Sequence, residues 1–157
     1  MKILVLFVGK TDGELYRKSI ADYAGRIAHF IPFSICEIPD VKNIRALTEQ
    51  AQKEKEADAI LRVLQPGDQL VLLDERGREM TSHEFADYIG QKALTVPKRL
   101  VFLIGGPYGF SPRIYDASQG KISLSRMTFS HQMVRLFLVE QIYRAYTILR
   151  GLPYHHD

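Results

Sequence analysis

Three short stretches of this 157-residue chain carry residue types suited to holding a small ligand. Gly105-Gly106-Pro107-Tyr108-Gly109 breaks the apolar run Val101–Ile104. Three glycines and a proline in five residues strip away side chains and leave bare backbone for something to lie against. A lone glycine pair is ordinarily just a tight turn, so the neighbouring stretches matter. ISLSRMTFSH (122–131) sets the hydroxyls of Ser125, Thr128 and Ser130 beside Met127 and Phe129, and LLDERG (72–77) ends another apolar run. Together they predict a backbone-lined, partly apolar cleft.

Other chemistries lack support. The chain has no G-x-x-x-x-G-K-[ST] phosphate loop, and GGPYGF departs from the G-x-G-x-x-G fingerprint and sits too late in the chain. Ser82-His83-Glu84 has neither an elbow motif nor a matching acid. Cys36, the single cysteine, lies in an apolar run and reads as packing; no internal disulfide or multi-cysteine metal site is available. The tail Pro153-Tyr154-His155-His156-Asp157 offers metal-ligand residue types, but adjacent ligands at a loose chain end seldom make a site. No metal is expected. A tyrosine and two histidines there suit base stacking and phosphate contact, an unstructured end being the alternative.

The elements that must position these residues alternate. Residues 2–8, 33–38, 69–74, 99–105 and 121–125 read as strands, most of them apolar throughout, as strands covered on both faces are. Residues 13–29, 42–64, 81–93 and about 132–149 read as helices, with a short one after Ser111-Pro112. Thr81 with Glu84 forms a capping-box signature. The expected fold is one α/β domain over residues 1–157, a mostly parallel five- or six-stranded sheet with helices on both faces. Lys53-Glu54-Lys55-Glu56-Ala57-Asp58 reads as a solvated helix face. The last helix is apolar around nearly its whole circumference, which needs a second surface and points to a homodimer, full enclosure within the chain being the alternative. MKILVLFVGK is a first strand rather than a signal peptide, no run could span a bilayer, and a cytoplasmic location is expected. The formal net charge is +3, and the whole surplus falls in residues 101–157, which favours an anionic partner such as nucleic acid.

LIGGPYG followed by ISLSRMTFSHQMVRLFLVEQIYRAYTILRGLPYHH resembles the RlmH-type rRNA methyltransferases of the SPOUT superfamily. VGK near the N-terminus, EIPD near residue 40 and LLDERG fall where that family has them. The resemblance implies a homodimer with a C-terminal trefoil knot that methylates N3 of a pseudouridine in large-subunit (23S) rRNA using S-adenosylmethionine. By the same matching, Leu73, Gly105, Gly106 and Leu124-Ser125-Arg126-Met127-Thr128-Phe129 would contact the cofactor. His131, Arg144 and His155 become catalytic candidates; Arg135, Tyr143, Tyr154 and His156 would face RNA. The tail departs from the family, which follows Tyr-His with Lys or Arg where this chain has His156-Asp157. Two other readings use the same residues: an α/β module that grips RNA without transferring methyl, and a small-molecule enzyme on a flavodoxin-like sheet.

Overall fold

A computed structural model describes residues 1–157, the side chain of Ile44 excepted. Five strands, β1 (Lys2–Val8), β2 (Phe33–Ile38), β3 (Gln69–Glu79), β4 (Arg99–Ile104) and β5 (Gly120–Ser123), form one sheet in the order β2-β1-β4-β3-β5. Every pairing is parallel. Parallel neighbours need crossover connections, and the helices between the strands supply them. Helices α1 (Glu14–Ile27), α3 (Ser82–Thr95) and α5 (His131–Leu149) cover one face; α2 (Glu49–Val63) and α4 (Pro112–Ala117) cover the other. The central strands are apolar without alternation because both of their faces are covered.

Local chemistry sets the helix starts. Thr81 and Glu84 form the reciprocal capping box, and Ser111 and Ser130 each accept from a backbone N–H of the helix they precede. The second helix is shorter than its sequence pattern suggests. A single 3-10 turn occupies 44–46, and α2 begins only after Thr48, whose side chain accepts from Ala51 N–H. Its charged middle is not a solvated face throughout. Glu54 accepts from Ser111 Oγ (2.6 Å) and Arg113 Nε (2.8 Å), tying α2 to α4, while Glu56 is 6% exposed.

Two features refine the sequence reading in ways that bear on the site. The apolar circumference of α5 is largely explained within the chain, since the helix lies over the sheet with α1 on one flank and α3 on the other. A remainder faces outward: Met133 is 41% exposed and Leu149 42%, and Val134, Leu136, Phe137, Tyr143 and Ile148 are half-buried. Strand β3 does not stop at Asp74. It continues to Glu79 with an irregularity between Leu73 and Arg78, beyond which Arg78 and Glu79 pair again with Ile122 and Ser123 of β5. Gly77 lies where the two chains press together: a Cβ there would come within 2.4 Å of Ile122 C and 2.6 Å of Ile122 N. Backbone cannot swing aside as a side chain can. Gly77→Ala is therefore expected to destabilise the protein by about 2 kcal/mol, read as a lowered midpoint in thermal unfolding.

Candidate active site

The exits of three adjacent strands, β3, β4 and β5, enclose a cavity of about 660 Å³ at the carboxyl edge of the sheet, where open parallel sheets bind ligands. Leu73, Gly105, Gly106, Leu124, Ser125, Arg126, Met127, Thr128 and Phe129 all line it, with His131 at the start of α5. Its volume is that of a site for a drug-sized ligand. Gly105 and Gly106 are buried behind the wall rather than merely bare. A Cβ on Gly105 would lie 2.6 Å from Phe110 Cε1, and one on Gly106 would lie 2.5 Å from Glu56 Oε2. The loop thus runs wedged between the cavity and a packed backing. Asp74 and Tyr115 both line the cavity, where Asp74 accepts from the Tyr115 hydroxyl, and burial followed by that bond pushes the hydroxyl up to about 12.

The catalytic candidates divide into two groups. His131 is exposed at the cavity, whereas Arg144 lies thirteen residues along α5, roughly 20 Å by helical rise. Arg144 sits instead in a network organised by Glu140. Its Nε and Nη2 donate to Glu140 Oε1 (3.1 and 2.6 Å), and the Tyr154 hydroxyl donates to the same oxygen at 2.9 Å. Paired this way, the Arg144 guanidinium is held above its ordinary range, chiefly by the Glu140 hydrogen bond. It also lies 4.7 Å above the Tyr154 ring. Burial, then bonds to Tyr23 and Glu140, hold the Tyr154 hydroxyl far above the ordinary tyrosine range. At neutral pH it is a donor and not a base.

The tail is docked rather than loose. Arg144 Nη1 donates to His155 Nδ1 (3.0 Å), which leaves the neutral ring's proton on Nε2, 3.2 Å from Asp157 Oδ1. His83 Nε2 reaches the same carboxylate oxygen at 2.5 Å. The three offer ligand atoms within 4.8 Å of one another. With Nδ1 already accepting, His155 Nε2 carries a proton, and in this arrangement the trio is a hydrogen-bonded clasp. Tyr143 packs edge-on against Tyr154 at 4.7 Å, and His156 is exposed.

Arg135 is misplaced by the sequence reading. It is 2% exposed, donates to Thr11 Oγ1 (3.0 Å) and Val8 O (2.8 Å), and lies over the Phe7 ring at 4.7 Å. Its position on α5 points it between β1 and the following loop, so its charge serves the interior and cannot face RNA in this structure. Glu140 was missed, although Glu140–Arg144 is a standard i,i+4 pair legible in the sequence. Gly77 and Glu56 were also missed, and no local signal marks them.

Residues 1–155 match the family described as "Predicted SPOUT methyltransferase". The chain belongs to the SPOUT methyltransferase family. It is similar over its whole length to proteins named ribosomal RNA large subunit methyltransferase H, which it also covers in full. It is 57% identical to the one from Parabacteroides distasonis, 58% to that of Phocaeicola vulgatus and 52% to that of Flavobacterium johnsoniae. No helix of this family member is long and apolar enough to cross a membrane.

Proposed function

We propose that this chain methylates N3 of a pseudouridine in 23S rRNA on the assembled ribosome, with S-adenosylmethionine as methyl donor. The reading includes a homodimer in the cytoplasm whose C-terminal segment forms a trefoil knot. The observation that carries it is the three-exit cavity, in a chain more than half identical to large-subunit rRNA methyltransferases. Backbone of Gly105 and Gly106 and the side chains of Leu73, Leu124, Met127 and Phe129 suit a ligand that is part adenine and part thioether chain.

That donor would bring a methyl group already activated on a sulfonium, so no protein nucleophile is needed. The protein's task is to hold the acceptor nitrogen in line and to manage its proton. His131 is the better-placed acceptor for that proton, because it is exposed on the cavity wall. His155 would first have to give up its bond from Arg144. Arg144, a fixed cation about 20 Å along α5 from His131, suits electrostatic positioning of an RNA phosphate rather than of the imide that His131 would reach. Arg144→Ala is expected to lower turnover about 100-fold, the scale of losing one preorganised charged donor. Donor affinity should stay unchanged.

Titration with S-adenosylmethionine in a calorimeter, followed by transfer of labelled methyl to ribosomes and to naked 23S rRNA, tests the proposal. Saturable heat and transfer to ribosomes are expected. Absence of both would leave an RNA-binding module as the better description, and equal rates on naked RNA would remove the assembled ribosome from it.

A further inference from the structure

Behind the glycine loop lies a carboxyl that the methyl-transfer reading leaves unused. Glu56, on α2, is 6% exposed, and its Oε1 is buried without a hydrogen-bond partner. A buried carboxylate with no partner is costly, and it persists where it is protonated or where a cation answers it. Burial accordingly pushes the Glu56 carboxyl above the ordinary carboxylate range. Gln52, one turn back on α2, opposes that rise and Asp40, beyond β2, adds to it. No cation stands among the groups that act on it.

Its position makes the missing cation informative. A Cβ placed on Gly106 would fall 2.5 Å from Glu56 Oε2 and 2.8 Å from Oε1. Gly106 lines the cavity of about 660 Å³ and Glu56 does not, so the carboxyl stands behind the wall with a single peptide between. A space of that volume is roughly 10 Å across, a distance over which a charge kept out of water still acts. The wall itself offers a cation little. It carries Lys53, Arg76 and Arg126 against Asp74 and Glu75, and Glu75, Arg76 and Arg126 are exposed, where water screens them. Asp74 already accepts from Tyr115, and Arg135, on α5, is engaged by Glu37 and Asp40.

Donor and product differ in one charge. S-adenosylmethionine carries a positive sulfonium; once its methyl has passed to the acceptor nitrogen, the sulfur is a neutral thioether. The amino and carboxylate groups are the same in both. A protein that held the two equally would be inhibited by its own product. A buried negative charge near the sulfur attracts the first and is indifferent to the second.

We propose that Glu56 supplies, from behind Gly106, the counter-charge for the donor's sulfonium, and so sets the preference for donor over product. It rests on the donor reading above. Glu56 does not touch the donor; it gives its proton to solvent as the cation enters and regains one when the thioether is left. Linkage makes the effect reciprocal, because a cation that favours the ionised carboxyl is held more tightly by it.

Glu56→Gln keeps the shape and removes the charge. Calorimetry with S-adenosylmethionine and with S-adenosylhomocysteine gives the donor-to-product affinity ratio for each protein. Near pH 8 that ratio should be about 10-fold lower in Glu56→Gln, the scale for opposite charges roughly 10 Å apart at an effective dielectric of about 20. The whole change should lie in weaker donor binding. In the unaltered protein the ratio should climb between about pH 5 and about pH 8, because only the ionised carboxyl attracts. Glu56→Gln should lack that part of the climb; His131 is present in both proteins, so its charge cancels in the comparison. Donor binding near pH 6 should also release more protons than product binding, read as heat that varies with the ionisation enthalpy of the buffer. An unchanged ratio in Glu56→Gln overturns the assignment, whether both affinities hold or fall together, since Glu56 would then only prop the loop. If Glu56→Gln does not fold, the buffer series on the unaltered protein decides, and equal proton release with the two ligands overturns it. Absence of heat with either ligand in the unaltered protein overturns the donor reading itself, and this assignment with it.

Discussion

Replacing Gly105 by valine should abolish donor binding and, with it, methyl transfer. The reason is geometric. A Cβ on Gly105 would sit 2.6 Å from Cε1 and 3.0 Å from Cζ of Phe110, whose ring is 7% exposed and meets Tyr115 edge-on at 5.8 Å. Phe110 itself lines the cavity, so whether the ring or the loop gives way, the displaced atoms move into the space the donor would occupy. Overpacking of this kind costs about 1–3 kcal/mol, too little to unfold a domain of ordinary stability. The expected result is a folded protein, recognisable by circular dichroism, that gives no heat with S-adenosylmethionine. Pairing Gly105→Ala with Phe110→Leu should return part of the affinity by returning the space. Gly106→Ala should behave likewise. Its Cβ meets a Glu56 carboxyl that burial holds above the ordinary carboxylate range and whose Oε1 has no partner. Gly106→Ala combined with Glu56→Ala relieves that clash. Full donor affinity in Gly105→Val would mean that the loop does not contact the donor.

Arg135→Ala should destabilise the protein as much as truncating a core aliphatic residue of α5. It removes a 2% exposed guanidinium from the Phe7 ring, strands Val8 O, and leaves Glu37, 3.8 Å from Nη1, without its cation. Each buried polar group left unpaired costs about 1–3 kcal/mol, and the emptied volume adds to that. A loss of about 3–4 kcal/mol lowers the melting midpoint of a domain this size by roughly 6–16 °C. Burial pulls the Arg135 guanidinium below its ordinary range, with Glu37, Asp40 and Asp12 opposing that fall. Ribosome affinity measured well below the new midpoint should be unchanged. A midpoint that stays put while ribosome affinity falls would restore Arg135 to the RNA-facing surface.

These two residues mark the boundary between what was legible and what was not. Gly105 and Gly106 were legible because their glycine cluster follows an apolar run and has two other strand exits for company; a pair alone would have read as a tight turn. Strand and helix alternation, the capping box at Thr81 and Glu84, and the caps at Ser111 and Ser130 are likewise local properties, written within a few residues of chain. The three strand exits followed from them. That the exits are neighbours required the order β2-β1-β4-β3-β5, set by packing between strands far apart in the chain.

Arg135 shows the opposite case. Composition places an arginine in a basic third on the surface, yet its partners Val8 and Thr11 lie 127 and 124 residues away. Periodicity states which face of a helix is apolar; it does not name what that face will meet. Glu56 fails for the same reason, since a charged run looks solvated until Gly106 is packed over it. Gly77 matters only because β5 returns alongside β3. The sequence by itself determined the elements, their caps and the bare loops, because those depend on interactions between near neighbours. Tertiary structure alone decided which charges are buried, which glycines are indispensable, and that His131 and Arg144 serve different places along one helix. Those outcomes depend on contacts between segments that the chain keeps far apart.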